Sequence, residues 1–133
     1  MAEQKANKNT VLYDDDSQRL SLFIVIVNNG LASIYKNCFI NECNCHCVLT
    51  LQGRGTATKE MYRMLGLSQV KKDIIIAITP KSNLNELFYR TREQFIVSKR
   101  TKGVAFSIDL TSIINLKAYK YFMYGIEEDK YGK

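Results

Sequence analysis

Two short apolar runs are the feature of this sequence that most constrains its fold. They are Leu22–Val27, with the sequence LFIVIV, and Ile74–Thr79, with the sequence IIIAIT. Both are rich in β-branched residues and both end at turn-forming residues, so each is predicted to be a strand. Successive side chains of a strand point to opposite faces, and apolar residues occupy both parities here. Both faces of each strand should therefore be buried.

The segments around these strands continue an alternation of strand and helix. Leu31–Glu42 has apolar residues at helical spacing, and a second amphipathic helix begins near Ser82, which is predicted to cap it. Cys47–Leu51 is predicted as another strand. Val104–Leu110 alternates apolar and polar residues, which is typical of a strand with two different faces. Thr58–Leu65 indicates a short helix inside the connection between the second and third strands.

This order predicts an α+β class, ferredoxin-like fold with the split-βαβ order βαββαβ. Four antiparallel strands would form one sheet, and two amphipathic helices would cover one of its faces. The other face would then be bare in a single chain, although the first and third strands are apolar on that side too. A large exposed apolar face is unusual for a soluble monomer. We therefore expect copies of the chain to associate around a symmetry axis, which creates clefts that suit ligands.

One domain is predicted, at residues 20–117, between a polar leader at residues 1–19 and a tyrosine-rich tail at residues 118–133. The leader should contain a short ordered piece near Val11–Tyr13. The chain has 133 residues and 46% hydrophobic residues, which is enough for one domain with a core. A signal sequence and an apolar run long enough to span a bilayer are both missing, so a cytoplasmic location without membrane insertion is expected.

An anion-binding turn is predicted where the second strand ends. Gly53 and Gly55 flank Arg54, so exposed backbone N–H groups would lie beside a fixed positive charge. That combination suits a phosphate group. The net charge of +6 permits such a partner without requiring one. Further basic residues precede the fourth strand, at Lys99, Arg100 and Lys102.

The cysteines offer an alternative interpretation. Cys43, Cys45 and Cys47 lie around His46, and thiolate and imidazole groups suit zinc or copper(I). However, the spacing is C-x-C rather than the usual C-x2-C, and His46 would point away from its neighbours on a strand. Cysteines that act as small hydrophobic side chains are therefore preferred. A metal-binding protein with the fold of the divalent-cation-tolerance family stays the alternative.

Catalysis and nucleic-acid binding are not indicated by the sequence. His46 has no serine and acid partner in a recognisable motif, and Cys–His catalysis needs a third orienting group that the sequence does not show. The predicted strands carry aliphatic residues where a nucleic-acid-binding sheet would carry basic and aromatic ones. The chain is therefore predicted to be neither an enzyme nor a nucleic-acid-binding protein.

Over roughly Leu20 to Leu116, the chain resembles the PII superfamily of nitrogen-regulatory signalling proteins, and within it the small PII-like proteins of bacteria. The resemblance implies a homotrimer with the sheets packed at its centre, a loop after the second strand that reaches target proteins, and ATP or ADP bound between subunits. It rests on four short motifs in this order: Asn29-Gly30, Gly53-Arg54-Gly55-Thr56, Leu65-Gly66-Leu67 and Lys102–Phe106.

The resemblance also implies which residues surround the phosphates of the nucleotide. Matched position by position, these are Gly53, Gly55, Lys99, Gly103 and Lys117. The loop at residues 56–72 would contact the partner protein. Its predicted contact residues are Thr58, Tyr62 and Arg63.

The chain departs from the family pattern at two positions, Val104 and Asn115, where basic residues are expected. Each loss removes a charge-assisted phosphate contact worth about 1.5–3 kcal/mol. A nucleotide is therefore not expected to be a required cofactor. The predicted function is a trimeric regulatory protein that binds a nucleotide or another small anion between subunits and acts on a partner.

Overall fold

The computed structural model describes residues 10–12, 19–55, 59–64, 71–97 and 102–125. A 3-10 turn, Lys81–Asn83, directly precedes the third helix. Within these residues, none of the helices is long and apolar enough to cross a bilayer. The strands are β1 (Thr10–Leu12), β2 (Leu20–Asn28), β3 (Cys47–Arg54), β4 (Lys71–Pro80), β5 (Gly103–Asp109) and β6 (Ser112–Ile114). The helices are α1 (Ala32–Asn41), α2 (Lys59–Met64), α3 (Leu84–Val97) and α4 (Leu116–Tyr124).

The main sheet has four antiparallel strands in the order β3-β4-β2-β5. With α1 and α3 packed on one face, it confirms the predicted ferredoxin-like α+β fold. The two strands that the sequence predicts to be apolar on both sides, β2 and β4, occupy the two central positions. Central strands have neighbours on both edges, which agrees with the β-branched, uncharged runs Leu22–Val27 and Ile74–Thr79 inside them.

The core lies between the sheet and the two helices. Phe23 of β2 is fully buried at its centre. Its ring meets Phe39 of α1 edge to face at 5.6 Å between centroids, and Phe88 of α3 at 4.8 Å. Such pairs add about 0.5–1.5 kcal/mol beyond the burial of their area. One aromatic side chain therefore joins both helices to the sheet.

The start of α1 is fixed by a carboxylate from β4. Leu31 precedes the helix and has no side chain that can cap it. Instead, Asp73 Oδ2 accepts hydrogen bonds from the Gly30 N–H at 2.8 Å and the Ala32 N–H at 3.1 Å. Gly30 has a φ of +97°, a conformation that favours glycine. The connection from β2 to α1 is thereby tied to the neighbouring strand.

A polar cluster closes the other end of the sheet. Ser21 Oγ donates a hydrogen bond to Asp109 Oδ1 at 2.6 Å, and Lys81 Nζ pairs with Asp109 Oδ2 at 2.9 Å. Arg19 Nη1 donates to the Leu110 carbonyl at 2.8 Å. The hydrogen bond from Ser21 and the charge of Lys81 lower the pKa of Asp109. This cluster joins β2 and β5 to the start of α3.

Two local predictions are wrong. Ser82 does not cap α3, because it lies inside the 3-10 turn, which follows Pro80 without a side-chain cap. The second predicted strand does not end before Gly53, because β3 continues through Gly53 and Arg54, opposite Lys72 and Lys71. Gly53 is therefore part of an edge strand and not of the predicted turn.

The C-terminal elements were not predicted. β6 pairs with β1 as a separate two-stranded sheet, and α4 follows directly. Asn115 Oδ1 caps α4 by accepting from the Ala118 N–H at 3.1 Å. Gly125, with a φ of +74°, ends the helix by donating its N–H to the Tyr121 carbonyl at 2.7 Å. The predicted division of the chain at residues 19 and 117 stays a prediction, although the second boundary falls inside α4.

Candidate functional site

The sheet presents a continuous apolar surface on the side opposite α1 and α3. The strand register aligns twelve apolar side chains there in three rows of four. All are at least partly exposed in the single chain, and Leu49 and Leu51 are about half exposed, at 48% and 51%. We call these twelve residues the open face. From β3 to β5 the rows are Leu51, Ile74, Ile26 and Val104; Leu49, Ile76, Ile24 and Phe106; and Cys47, Ile78, Leu22 and Ile108.

Cations of β3 and β4, and one that directly precedes β5, lie at one end of this surface. In the register, Gly53 lies opposite Lys72, and Arg54 lies opposite Lys71. On the far side of β2, Gly103 pairs with Val27, so Lys102 comes to the same end of the sheet. A local excess of positive charge follows, and such an excess attracts anions. We call this group the basic end; its cations are Arg54, Lys71, Lys72 and Lys102.

Lys72 is the most buried cation of the basic end, with 4% of its surface exposed. It has the same strand parity as Ile74, so its side chain starts on the open-face side, opposite a glycine that carries no side chain. Burial lowers the pKa of Lys72. A charge that is removed from water interacts more strongly with a nearby anion, because the solvent screens it less.

Gly53 and Gly103 have structural reasons to be glycine that are independent of a ligand. A Cβ at Gly103 would collide with the Ile26 carbonyl and would lie 2.8 Å from the Val27 side chain. A Cβ at Gly53 would lie 2.9 Å from Cδ1 of Ile74. Both glycines therefore allow close packing within the sheet. Neither has a positive φ, and Gly53 lies in β3 and not in the tight turn that the sequence predicted.

The structure brings some of the predicted ligand residues together. Arg54 and Lys102 lie at the basic end with Gly53 and Gly103, and Gly55 directly follows β3. Lys71 and Lys72 were not predicted from the sequence as ligand residues. The signal for them was a pair of lysines directly before an apolar run, but only the register shows that they face Arg54 and Gly53.

Other predicted residues lie elsewhere or outside the described part of the chain. Lys117 is in the first turn of α4, and Tyr121 of that helix packs against His46 with ring centroids 6.4 Å apart. His46 directly precedes β3, so α4 contacts the end of the sheet opposite the basic end. Arg63 is exposed in the last turn of α2, which also contains Tyr62. The remaining predicted residues, Lys99, Arg100 and Thr58, lie outside the described residues.

The cysteines do not form the alternative metal site. Cys47 lies on the open face, whereas Cys43 and Cys45 are buried on the helix side, at 3% and 4% exposure. Burial raises the pKa of Cys43 to about 12 and that of Cys45 to about 11. Among the residues that the structure describes, no group of three His, Cys, Asp or Glu side chains could hold a metal ion.

Comparison with known proteins identifies the fold. The chain is similar to CPII from Thiomonas intermedia K12 bound to ADP, AMP and acetate, with a TM-score of 0.59 and 14% identity over 79% of this chain and 95% of that one. It is also similar to CutA from Synechococcus elongatus PCC7942, with a TM-score of 0.58 and 14% identity over 89% and 95%. CutA1 from Oryza sativa gives a TM-score of 0.53 and 18% identity over 81% and 94%.

Sequence comparison adds nothing to this likeness, since no protein-family model and no curated protein sequence matches the chain. At identities of 14–18% the structural likeness shows the fold alone. That fold is the one shared by CPII, a nitrogen regulatory PII-like protein, and the CutA1 proteins. The resemblance inferred from the short sequence motifs is confirmed at this level.

Proposed function

We propose that this chain, which has the PII-like fold, is a homotrimeric regulatory protein that binds a small anion between subunits. ATP and ADP are the first candidates for that anion. The loop at residues 56–72 would carry the signal to a partner protein. One observation carries the proposal: the basic end lies at the border of the open face, so assembly through that face would enclose the cations in a cleft.

The open face supports the assembly. Full burial of one large apolar side chain contributes about 1.5–3 kcal/mol. Ten aliphatic side chains, one phenylalanine and one cysteine lie together here, and all are still partly exposed in the single chain. A closed symmetric arrangement gives every copy the same buried surface and leaves no apolar face in water. The resemblance to PII proteins indicates three copies. The helices α1 and α3 would remain on the outside of such a trimer.

The basic end supports the anionic ligand. When open faces meet, water is excluded around Lys72, and its attraction to a phosphate group increases. Arg54, Lys71 and Lys102 add positive charge at the same end of the sheet. Lys117 lies in α4, at the end of the sheet opposite the basic end. It could therefore contact the ligand only from a neighbouring subunit. The likeness to CPII, which is described with ADP and AMP, makes nucleotides the first ligands to test.

The position of the loop supports a regulatory output. α2 lies in the connection between β3 and β4, and this connection begins at Arg54 and ends at Lys71. Both residues belong to the basic end, so a ligand that binds them acts directly on the two ends of the loop. The ligand shifts the loop only if it binds one loop conformation more tightly than another.

Two measurements on the purified full chain test this proposal. Light scattering after gel filtration should give the mass of three chains, and a monomer at micromolar concentration would contradict the assembly. Titration calorimetry with ATP, ADP and cyclic dinucleotides should give saturable binding by at least one of them. If the protein is a trimer but binds none of these nucleotides, the proposed ligand site would be contradicted and only a scaffold role would remain.

A matched pair of variants tests the site itself. Lys72→Met keeps most of the side-chain length and removes the charge, so it should weaken nucleotide binding at least tenfold, or about 1.4 kcal/mol, while the trimer persists. Lys36→Met removes an exposed charge from α1, on the opposite side of the sheet, and should leave binding unchanged. Equal affinities for the two variants would show that Lys72 does not contact the ligand.

A further inference from the structure

Two thiols lie side by side at the end of α1. Cys38 is in the last turns of the helix, and Cys43 follows shortly after the helix ends at Asn41. The chain folds back here, because the Glu42 N–H donates to the Cys38 carbonyl at 2.8 Å and the Cys45 N–H donates to the Phe39 carbonyl at 3.1 Å. As a result, the side chains of Cys38 and Cys43 are in hydrogen-bond contact.

The other two cysteines point elsewhere. Cys45 Sγ lies 4.0 Å from the Cys43 carbonyl oxygen and contacts the side chain of Thr79. Cys47 is on the open face, where it lies opposite Ile78 in the sheet. The structure therefore selects one pair of thiols out of the four cysteines.

This pair is reachable from solvent. Cys38 is half-buried and lines an open cleft of about 340 Å³ between α1 and α3, together with Asn37, Asn41 and Arg90. Cys43 is buried directly behind it. The cleft lies on the helix side of the sheet, so assembly through the open face would leave it accessible.

We propose that Cys38 and Cys43 form a reversible disulfide, with Cys38 as the residue that an oxidant meets first. A hydroperoxide is a sufficient oxidant. The Cys38 thiolate attacks its terminal oxygen, the O–O bond breaks, and a sulfenic acid forms as the alcohol or water leaves. The Cys43 sulfur then attacks the sulfenic sulfur, the S–S bond forms, and water leaves with the remaining proton. Overall, two thiols and one hydroperoxide give one disulfide, one alcohol and one water.

The surroundings of the pair make this reaction slow at neutral pH. Burial raises the pKa of Cys38, and the carboxylates of Glu42 and Glu86 add to this, whereas Arg90 and the hydrogen bond with Cys43 oppose it. Glu93 also lines the cleft. Because the thiolate is the nucleophile, each unit of pH below the pKa should change the rate about tenfold. Reduction by a dithiol restores the two thiols through exchange.

Proteolytic mapping tests the pairing directly. The folded chain is treated with hydrogen peroxide, its free thiols are alkylated in denaturant, and it is cleaved after Lys36, Glu42 and Arg54. This separates Cys38, in residues 37–42, from the other three cysteines, in residues 43–54. The two peptides should remain joined until a reductant is added. The joined product should form about tenfold faster at a pH one unit higher.

Cysteine-to-serine variants show which cysteine forms the disulfide with Cys38. The joined product should disappear in Cys43→Ser and persist in Cys45→Ser and Cys47→Ser. Cys38→Ser replaces a half-buried residue and should also abolish it, with an unchanged circular dichroism spectrum as the control for folding. A joined product that survives Cys43→Ser would overturn the proposal. Oxidation of Cys38 without any joined product would overturn it too.

Discussion

At the scale of single residues, Thr91 is a polar residue in the core whose burial lowers the stability of the fold. It lies on the buried side of α3 with 2% of its surface exposed, and its hydroxyl has no hydrogen-bond partner among the described residues. An unsatisfied buried hydroxyl costs about 1–3 kcal/mol. The cost is not required by the helix, since valine has a similar helix propensity and the same shape.

Thr91→Val should therefore stabilise the protein by about 1 kcal/mol, because it removes the unsatisfied group without changing the volume. The free energy of unfolding from urea titrations is the measurement. Thr91→Ser is the matched control, because it keeps the hydroxyl and loses a methyl group, so it should destabilise. A Thr91→Val protein that is less stable than wild type would mean that the hydroxyl is satisfied in solution.

The titration of Asp109 makes the stability of the folded protein depend on pH in the acidic range. Its pKa is lowered from 3.8 by the hydrogen bond from Ser21 and by Lys81. As the pH falls, the unfolded chain takes up a proton at this position before the folded chain does. The contribution of Asp109 is thus present above pH 3.8 and is lost as the pH falls through the lower value of the folded state.

Asp109→Asn should remove this dependence, because the amide does not titrate. The difference in melting temperature between wild type and Asp109→Asn should be largest near neutral pH and should shrink as the pH falls from about 5 to about 2. A difference that stays constant over this range would show that the charge of Asp109 does not contribute.

At the scale of elements, hydrophobic periodicity predicted the main sheet and the helices on it. β2, β4 and β5 follow from apolar runs and alternation, and α1 and α3 follow from apolar residues at helical spacing. The pattern fails where one short sequence fits two structures. Two glycines around an arginine suit both a turn and an edge strand, and only the pairing of Gly53 with Lys72 decides for the strand.

The helix α4 was missed for a different reason. Its residues were assigned to a tyrosine-rich tail, although Leu116, Tyr119 and Met123 lie at helical spacing and are buried or half-buried. Its two ends were nevertheless readable, since Asn115 and Gly125 are suitable N-terminal and C-terminal capping residues. The basic end was predicted only in part, because the lysines that complete it, Lys71 and Lys72, become neighbours of Arg54 through the sheet.

The cap of α4 can be tested by Asn115→Ala. Asn115 accepts a hydrogen bond from the Ala118 N–H and has a φ of +100°, so alanine should lose the cap and adopt a strained backbone. We expect a loss of about 1–2 kcal/mol in the free energy of unfolding. Asn115→Gly keeps the backbone conformation accessible and should lose less. Equal stabilities of both variants and wild type would show that α4 unfolds independently of the domain.

At the scale of the whole molecule, the two faces of the sheet have different roles. The helix side holds the core, the aromatic contacts of Phe23 and the thiol pair at the end of α1. The open face carries twelve apolar side chains that all stay at least partly exposed in the single chain. A surface of that kind requires a partner, and the proposed partner is the same face of further copies. Assembly and ligand binding are then one property, because the cleft exists only where two copies meet.

The variant Leu49→Lys tests both assembly through the open face and ligand binding between subunits. Leu49 lies in the middle row of the open face and is 48% exposed in the single chain, so a lysine there can reach water without disturbing the core. In the trimer its charge would be buried, at a cost of several kcal/mol. The variant should therefore be a folded monomer by light scattering, and it should lose nucleotide binding although no cation has been removed.

Tyr89→Lys, on α3 with 53% exposure, is the control and should remain trimeric. If Leu49→Lys assembles like wild type, the open face is not the interface; if it is monomeric and still binds nucleotide, the ligand site lies within one chain and not between subunits.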